Sequence, residues 1–117
     1  MRRVTIEALV ITFKIMKTGI QLILEERKRQ KADENYSHEH DDTHEKGEIA
    51  KAAATYCLTE EQKNLQIIGP GTYIGIVNKM WPFDLRAYKP TPDDRVRELT
   101  KAGALIAAEI DRLRRQK

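Results

Sequence analysis

The sequence predicts a mainly all-α fold, a compact domain of three to four helices with an irregular 65–90 segment. Three observations predict it. Val96, Leu99, Gly103, Ile106, Ile110 and Leu113 recur at spacings of 3, 4, 3, 4 and 3, which is helical periodicity over about six turns. Helix-start residues stand before the apolar runs at Thr18 and Thr91. An alanine-rich stretch, Ala50–Ala54, suits close helix packing. A chain of 117 residues makes one domain with a modest core.

Taken in chain order, residues 4–16 are rich in Val, Ile, Leu and Phe and read as a short helix or a strand. Thr18 is an N-cap, and the helix it opens presents Ile20, Ile23 and Leu24 on one face before running into Glu25–Gln30. Residues 32–42 lack apolar periodicity and read as a polar loop. A second helix begins near Asp41 or Asp42 and passes through His44, Glu48, Ile49, Ala52, Ala53 and Tyr56, with one further turn at 59–64. Gly69-Pro70-Gly71 is a turn signal between two β-prone pieces, Gln66–Ile68 and Thr72–Val77, so a short hairpin is one reading of that stretch. The last helix starts with Thr91 as N-cap, Pro92 at its first position and Asp93-Asp94 in its first turn; Arg112, Arg114, Arg115 and Lys117 suit its C-terminal dipole.

Composition excludes several function classes. The lone cysteine, Cys57, removes any internal disulfide or cysteine-rich zinc site. Glu7 and Lys14 interrupt the N-terminal apolar run, which excludes a membrane span and a signal peptide, and the expected location is the cytoplasm. The net charge of +3 hides a polarity, because residues 31–50 hold seven carboxylates against two lysines while both ends are basic. That alternation points to complementarity within or between chains more than to a continuous phosphate-binding face, although it leaves nucleic acid as a possible partner.

Two clusters could carry chemistry. All three histidines lie in His38-Glu39-His40-Asp41-Asp42-Thr43-His44, followed by Glu45 and Glu48. On one helix His40, His44 and Glu48 would stand at i, i+4 and i+8 and could bind a divalent transition metal, while Glu45 and Glu48 could share Mg²⁺. The alternative is structural: Asp41 and Asp42 as caps and the imidazoles solvated or bonded to backbone. The second cluster is Glu26, Arg27, Arg29 and Gln30, whose arginines suit phosphate recognition or, alternatively, a solvated helix end answering the acidic segment. Lys89, Arg95, Arg97 and Lys101 could pair with that acidic segment or with a ligand phosphate. Trp81 and Phe83 are expected to anchor the irregular segment onto the helices.

Three stretches together resemble a group of small phage and prophage proteins. They are Thr18-Gly19-Ile20 with Glu25–Gln30, His40–Ala53 with its Gly47-Glu48-Ile49-Ala50 core, and Trp81-Pro82-Phe83-Asp84 with Lys89-Pro90 and Arg97–Ile106. The resemblance covers about residues 16–115. It implies a single helical domain over 16–117, with residues 1–15 an N-terminal extension or added helix. Glu45-Lys46-Gly47-Glu48-Ile49-Ala50 is also distantly similar to the first motif of MazG-type all-α nucleotide pyrophosphohydrolases. That similarity implies Mg²⁺ or another divalent cation held by Glu45, Glu48 and Glu98, with His44 as a further ligand and Arg27 and Arg29 on the phosphate; by their own chemistry His40 joins the metal candidates, and Gln30, Lys89 and Lys101 join the ligand-binding ones. Lys101 stands where the second motif carries an aspartate, which implies a metal-free phosphate site or lost catalysis. The function expected is therefore a non-catalytic accessory module binding a host protein or a nucleotide signal, self-associating through its helices into a homo-oligomer. The alternatives are a metal-dependent nucleoside triphosphate pyrophosphohydrolase and a nucleic-acid-binding helical protein.

Overall fold

In the computed structural model, residues 5–7, 17–69 and 72–116 are described. The element expected over 4–16 lies for the most part outside them. The described residues form six α-helices and one two-stranded sheet: α1 (Gly19–Asp33), α2 (His38–Asp42), α3 (Glu48–Cys57), α4 (Glu60–Lys63), β1 (Gln66–Gly69), β2 (Thr72–Gly75), α5 (Ile76–Met80), a 3₁₀ turn (Leu85–Ala87) and α6 (Arg95–Arg115). The mainly helical expectation holds, with more and shorter helices than the periodicity suggests.

Local capping chemistry sets most of the boundaries. Thr18 and Gln21 form a reciprocal box, Gln21 N–H donating to Thr18 Oγ1 at 3.2 Å and Thr18 N–H to Gln21 Oε1 at 2.8 Å. Thr59 and Gln62 repeat it before α4. The 32–42 stretch is not a loop throughout, since α1 continues to Asp33 and Ser37 Oγ accepts the His40 N–H to start α2. Nor does the second helix run unbroken from Asp41 to Tyr56. Thr43 Oγ1 donates to the His40 carbonyl at 2.7 Å, closing α2, and Gly47, at φ 78°, turns the chain before α3. A left-handed residue cannot continue a helix, and glycine takes that conformation without a side-chain clash.

The 65–90 segment is more ordered than its composition suggests. β1 and β2 pair antiparallel with Gln66 opposite Gly75 and Gly69 opposite Thr72, so the hairpin forms around the Gly69-Pro70-Gly71 signal. Its second strand stops at Gly75, where α5 begins. The start of α6 also differs: Asp94, not Thr91, is the N-cap, its Oδ1 accepting the Arg97 N–H at 3.0 Å. Thr91 instead opens the preceding turn, its carbonyl accepting from Asp94 N–H at 2.9 Å.

Helix α6 is the spine, packed mainly against α3 and α1. The core joins Ile49, Ala52, Ala53 and Tyr56 of α3, Trp81, and Ala102, Leu105 and Ala108 of α6. Small side chains on both helices let the backbones approach closely. Gly103 does the same toward α1, because a Cβ there would lie 2.5 Å from Ile23 Cδ1. Which face of each helix turns inward departs from simple amphipathicity. On α1 the buried residues are Glu26, Arg27 and Gln30, while Ile20 and Leu24 are exposed. On α6 the buried row carries Glu98, Lys101, Leu105 and Arg112. The apolar stripe points outward, with Val96, Leu99, Ile106, Ile110 and Leu113 each between 45% and 62% exposed.

Candidate functional site: a polar and aromatic cavity

The polar rows turned inward by α1 and α6 line a cavity of about 390 Å³, closed by α2, α3 and the Trp81–Lys89 segment. Its size lies within the range usual for small-molecule sites, roughly 300–1,000 Å³. Glu26, Gln30 and Glu34 reach it from α1 and its C-terminal cap, spaced four residues apart so that they share one face.

One wall is a charge network. Arg29 holds Glu26 through two guanidinium nitrogens, at 2.7 and 2.9 Å, and reaches Glu34 at 3.4 Å. Arg97 approaches the same Glu26 at 2.9 Å, and Lys89 Nζ donates to both Glu34 oxygens at 3.1 and 3.0 Å. Lys101 Nζ donates to the Lys89 carbonyl at 2.7 Å and stands 5.7 Å from the centre of the Tyr56 ring. On this wall four cations, Arg29, Lys89, Arg97 and Lys101, thus meet two carboxylates, while Asp41 and Asp84, which also line the cavity, are paired to Arg27 and Arg86. Burial, followed by the neighbouring Arg97 charge, pulls the Lys101 ammonium below its ordinary value.

The opposite wall is aromatic. Tyr36 stacks on His40 at 5.0 Å, His40 meets His44 edge-on at 4.8 Å, and His44 meets Phe83 at 4.8 Å. Tyr56 and Trp81 continue the wall, their rings 5.5 Å apart. Trp81 is anchored by Nε1 donating to the Asp84 carbonyl at 3.0 Å, and Lys89 N–H donates to Tyr56 Oη at 3.0 Å. Burial pushes the Tyr56 hydroxyl up to about 12, so it stays protonated as a hydrogen-bonding wall group.

Short α2 has too few residues to hold itself in place, and arginines from both long helices pin it. Arg27 Nη2 donates to Asp41 at 3.3 Å in a buried pair, and Arg115 Nη2 donates to Asp42 at 2.7 Å. Those contacts set His40 against Tyr36. Arg27 is therefore a structural residue outside the cavity lining, whereas Arg29, Gln30, Lys89 and Lys101 all line it. Trp81 and Phe83 anchor the 81–89 segment as expected and also form part of the wall.

The five candidate metal ligands do not converge. His40 and His44 touch, and His44 Nδ1 lies 3.3 Å from Glu48 Oε2, but Glu48 Oε1 accepts the Lys46 N–H at 2.6 Å, bracing the turn into α3. Glu45 sits exposed in the turn before Gly47 and shares no helix with Glu48. Glu98 is wholly buried outside the cavity lining, its Oε2 accepting from Lys63 Nζ at 2.6 Å and from Thr91 N–H at 3.3 Å. Among the described residues no three His, Cys, Asp or Glu side chains are grouped to hold a metal ion. The i, i+4, i+8 alignment of His40, His44 and Glu48 requires one helix, and the break at 43–47 removes it.

Sequence reasoning overlooks Glu34, Tyr36 and Tyr56 in the site. A signal for Glu34 exists in the polar i, i+4, i+8 row Glu26-Gln30-Glu34, which repeats on one helical face. Tyr56 has none, because its partners Trp81 and Tyr88 come from a distant segment, and Tyr36 has none, because it lies outside the helix that carries its partner His40.

The Glu26–Arg29–Arg97 network also predicts an acid sensitivity. Burial raises the Glu26 carboxyl, but the Arg29 hydrogen bonds and the Arg97 and Arg29 charges outweigh it and hold it below 4.5. Glu34 is lowered as well, chiefly by its hydrogen bond from Lys89. Carboxyls depressed in the folded state stabilise it above their unfolded values, and that stability is lost as pH falls through the folded ones. The urea midpoint should therefore hold steady from pH 7 to 5 and fall below about 4.5. Replacing both Glu26 and Glu34 by Gln should flatten that fall.

No described helix is long and apolar enough to cross a membrane. No family model matches the chain, and neither the curated proteins nor the solved structures hold a significant match to it.

Proposed function

We propose that this chain is a non-catalytic binding module whose cavity takes a small nucleotide. The observation that carries the reading is the wall on which Arg29, Lys89, Arg97 and Lys101 stand with Glu26 and Glu34, in a cavity whose other two carboxylates, Asp41 and Asp84, are paired to Arg27 and Arg86 outside it and whose other wall is aromatic. A phosphate group answers the surplus positive charge, and a nucleobase offers a flat face to Tyr36, His40, Phe83 and Trp81. Lys101 fits this arrangement as a cation where the MazG-type pattern has a metal-binding carboxylate. The order of motifs along the chain adds the phage and prophage accessory class as the setting.

The hydrolase reading has less support, because Glu48 and Glu98 are engaged by Lys46, His44, Lys63 and Thr91 and Glu45 stands apart. Calorimetric titration with nucleoside mono- and triphosphates in the presence of EDTA separates the two. The expected result is saturable binding without divalent cation, together with no pyrophosphate release when Mg²⁺ or Mn²⁺ is added. Absence of binding by every nucleotide would overturn the nucleotide assignment, and metal-dependent pyrophosphate release would overturn the non-catalytic one.

A further inference from the structure

Two lysines line the cavity, and they differ in exposure. Lys101 is 9% exposed, whereas the Lys89 side chain is 59% exposed. They differ in partners as well. Arg29 and Arg97 pair with Glu26, and Lys89 pairs with Glu34. Lys101 alone of the four wall cations has no carboxylate partner among the described residues. Its Nζ donates to the Lys89 carbonyl at 2.7 Å and stands over the Tyr56 ring of α3, so the amine is fixed in the cavity without a counter-ion.

Such an amine gives up its proton more readily than an exposed one. Burial acts first, and Arg97, one helical turn before it on α6, and Arg29 of α1 add like charge; Glu26 and Glu98 act the other way. The ammonium is left below its ordinary value, so more of Lys101 is free amine at neutral pH than of an ordinary lysine, and the remainder is the cation of the wall. A free amine keeps two N–H groups, one of which suffices for the Lys89 carbonyl, and its lone pair is then open to a nucleophilic role. Desolvation and a neighbouring cation are what activate lysines toward carbonyl groups.

The rest of the cavity selects the carbonyl compound. Arg29, Arg97 and Lys89 offer donors to a phosphate, and the aromatic wall offers faces to a flat ring. We infer that Lys101 is a carbonyl-capturing amine that forms an imine with a small phosphorylated aromatic aldehyde. The Nζ lone pair adds to the aldehyde carbon, forming the C–N bond while the carbonyl oxygen takes up a proton. The carbinolamine then loses water, which carries away that oxygen and both amine hydrogens and leaves C=N. Nothing is oxidised or reduced, and hydrolysis reverses the capture. The inference goes beyond nucleotide binding and does not rest on it.

Pyridoxal 5′-phosphate is the probe, mixed in equimolar amount with the full chain, reduced with borohydride and located by peptide mass spectrometry. Lys101 should be labelled about 10-fold more than the exposed Lys28, Lys31 and Lys51, the advantage of a held reactant over a collisional one. Pyridoxal, which lacks the phosphate, should lose that preference. Lys101→Arg keeps the charge without an amine and should abolish the imine absorbance, with circular dichroism unchanged. Even labelling of the lysines, or an unlabelled Lys101 in the folded wild type, overturns the inference; an equal preference shown by pyridoxal overturns the phosphate requirement. None of these outcomes depends on a nucleotide, so failure of nucleotide binding and failure of imine formation are read separately.

Discussion

Replacing Glu98 by Ala is expected to lower unfolding stability by about 3–5 kcal/mol, the cost of leaving one member of a buried ion pair without its partner. Glu98 is fully buried on α6 and accepts from Lys63 of α4 and the backbone of Thr91. It therefore ties the 59–64 turn and the chain entering α6 to the same point. Without it the Lys63 ammonium loses its buried carboxylate partner and keeps the exposed Glu60, and the Thr91 N–H loses its acceptor. Glu98→Gln should cost less, since an amide oxygen still accepts from Thr91. Urea unfolding of both variants measures this. A Glu98→Ala protein as stable as the wild type would show that the carboxylate is not structural and would make it a candidate ligand-binding group again.

The second large effect concerns ligand affinity. Lys101→Glu should weaken nucleotide binding about 100-fold, near 2.7 kcal/mol, because it converts a cation of the cavity wall into an anion facing the phosphate. Lys101 is buried beside Tyr56 and is held by the Lys89 carbonyl, so its charge acts at a fixed place with little screening by solvent. Lys101→Met keeps the bulk of the side chain and should give an intermediate loss. Calorimetric titration of the two variants, with circular dichroism as the check on folding, reads the result. Equal affinity in Lys101→Glu would mean that the phosphate does not lie on this wall.

Part of the candidate site is legible in the amino-acid sequence. Arg29, Gln30, His40, His44, Lys89 and Lys101 stand out by their chemistry, and all six line one cavity. The spacing of the histidines suggests metal binding, but only on a continuous helix that carries His40 through Glu48. Gly47 and the Thr43 contact break that helix, placing His40 and His44 in a ring-to-ring chain instead. Arg27 is legible as a phosphate-type arginine, yet it lies outside the cavity lining and its Nη2 holds Asp41.

What the sequence by itself determined are the features governed by a few adjacent residues. The capping threonines at 18 and 59 act within three positions, and the pairing of Gln66–Gly69 with Thr72–Gly75 and the long α6 periodicity are equally local. Tertiary structure alone decided which face of each helix turns inward. An amphipathic pattern says that the apolar stripe of α6 must leave water, but not whether α3, α1 or a second molecule covers it. Here α3 and α1 take the faces carrying Glu98, Lys101, Leu105 and Arg112, whose polar groups find ion-pair or carbonyl partners, most of them from distant segments. Burial of charge depends on partners many residues away in the chain, and a local pattern carries no record of them.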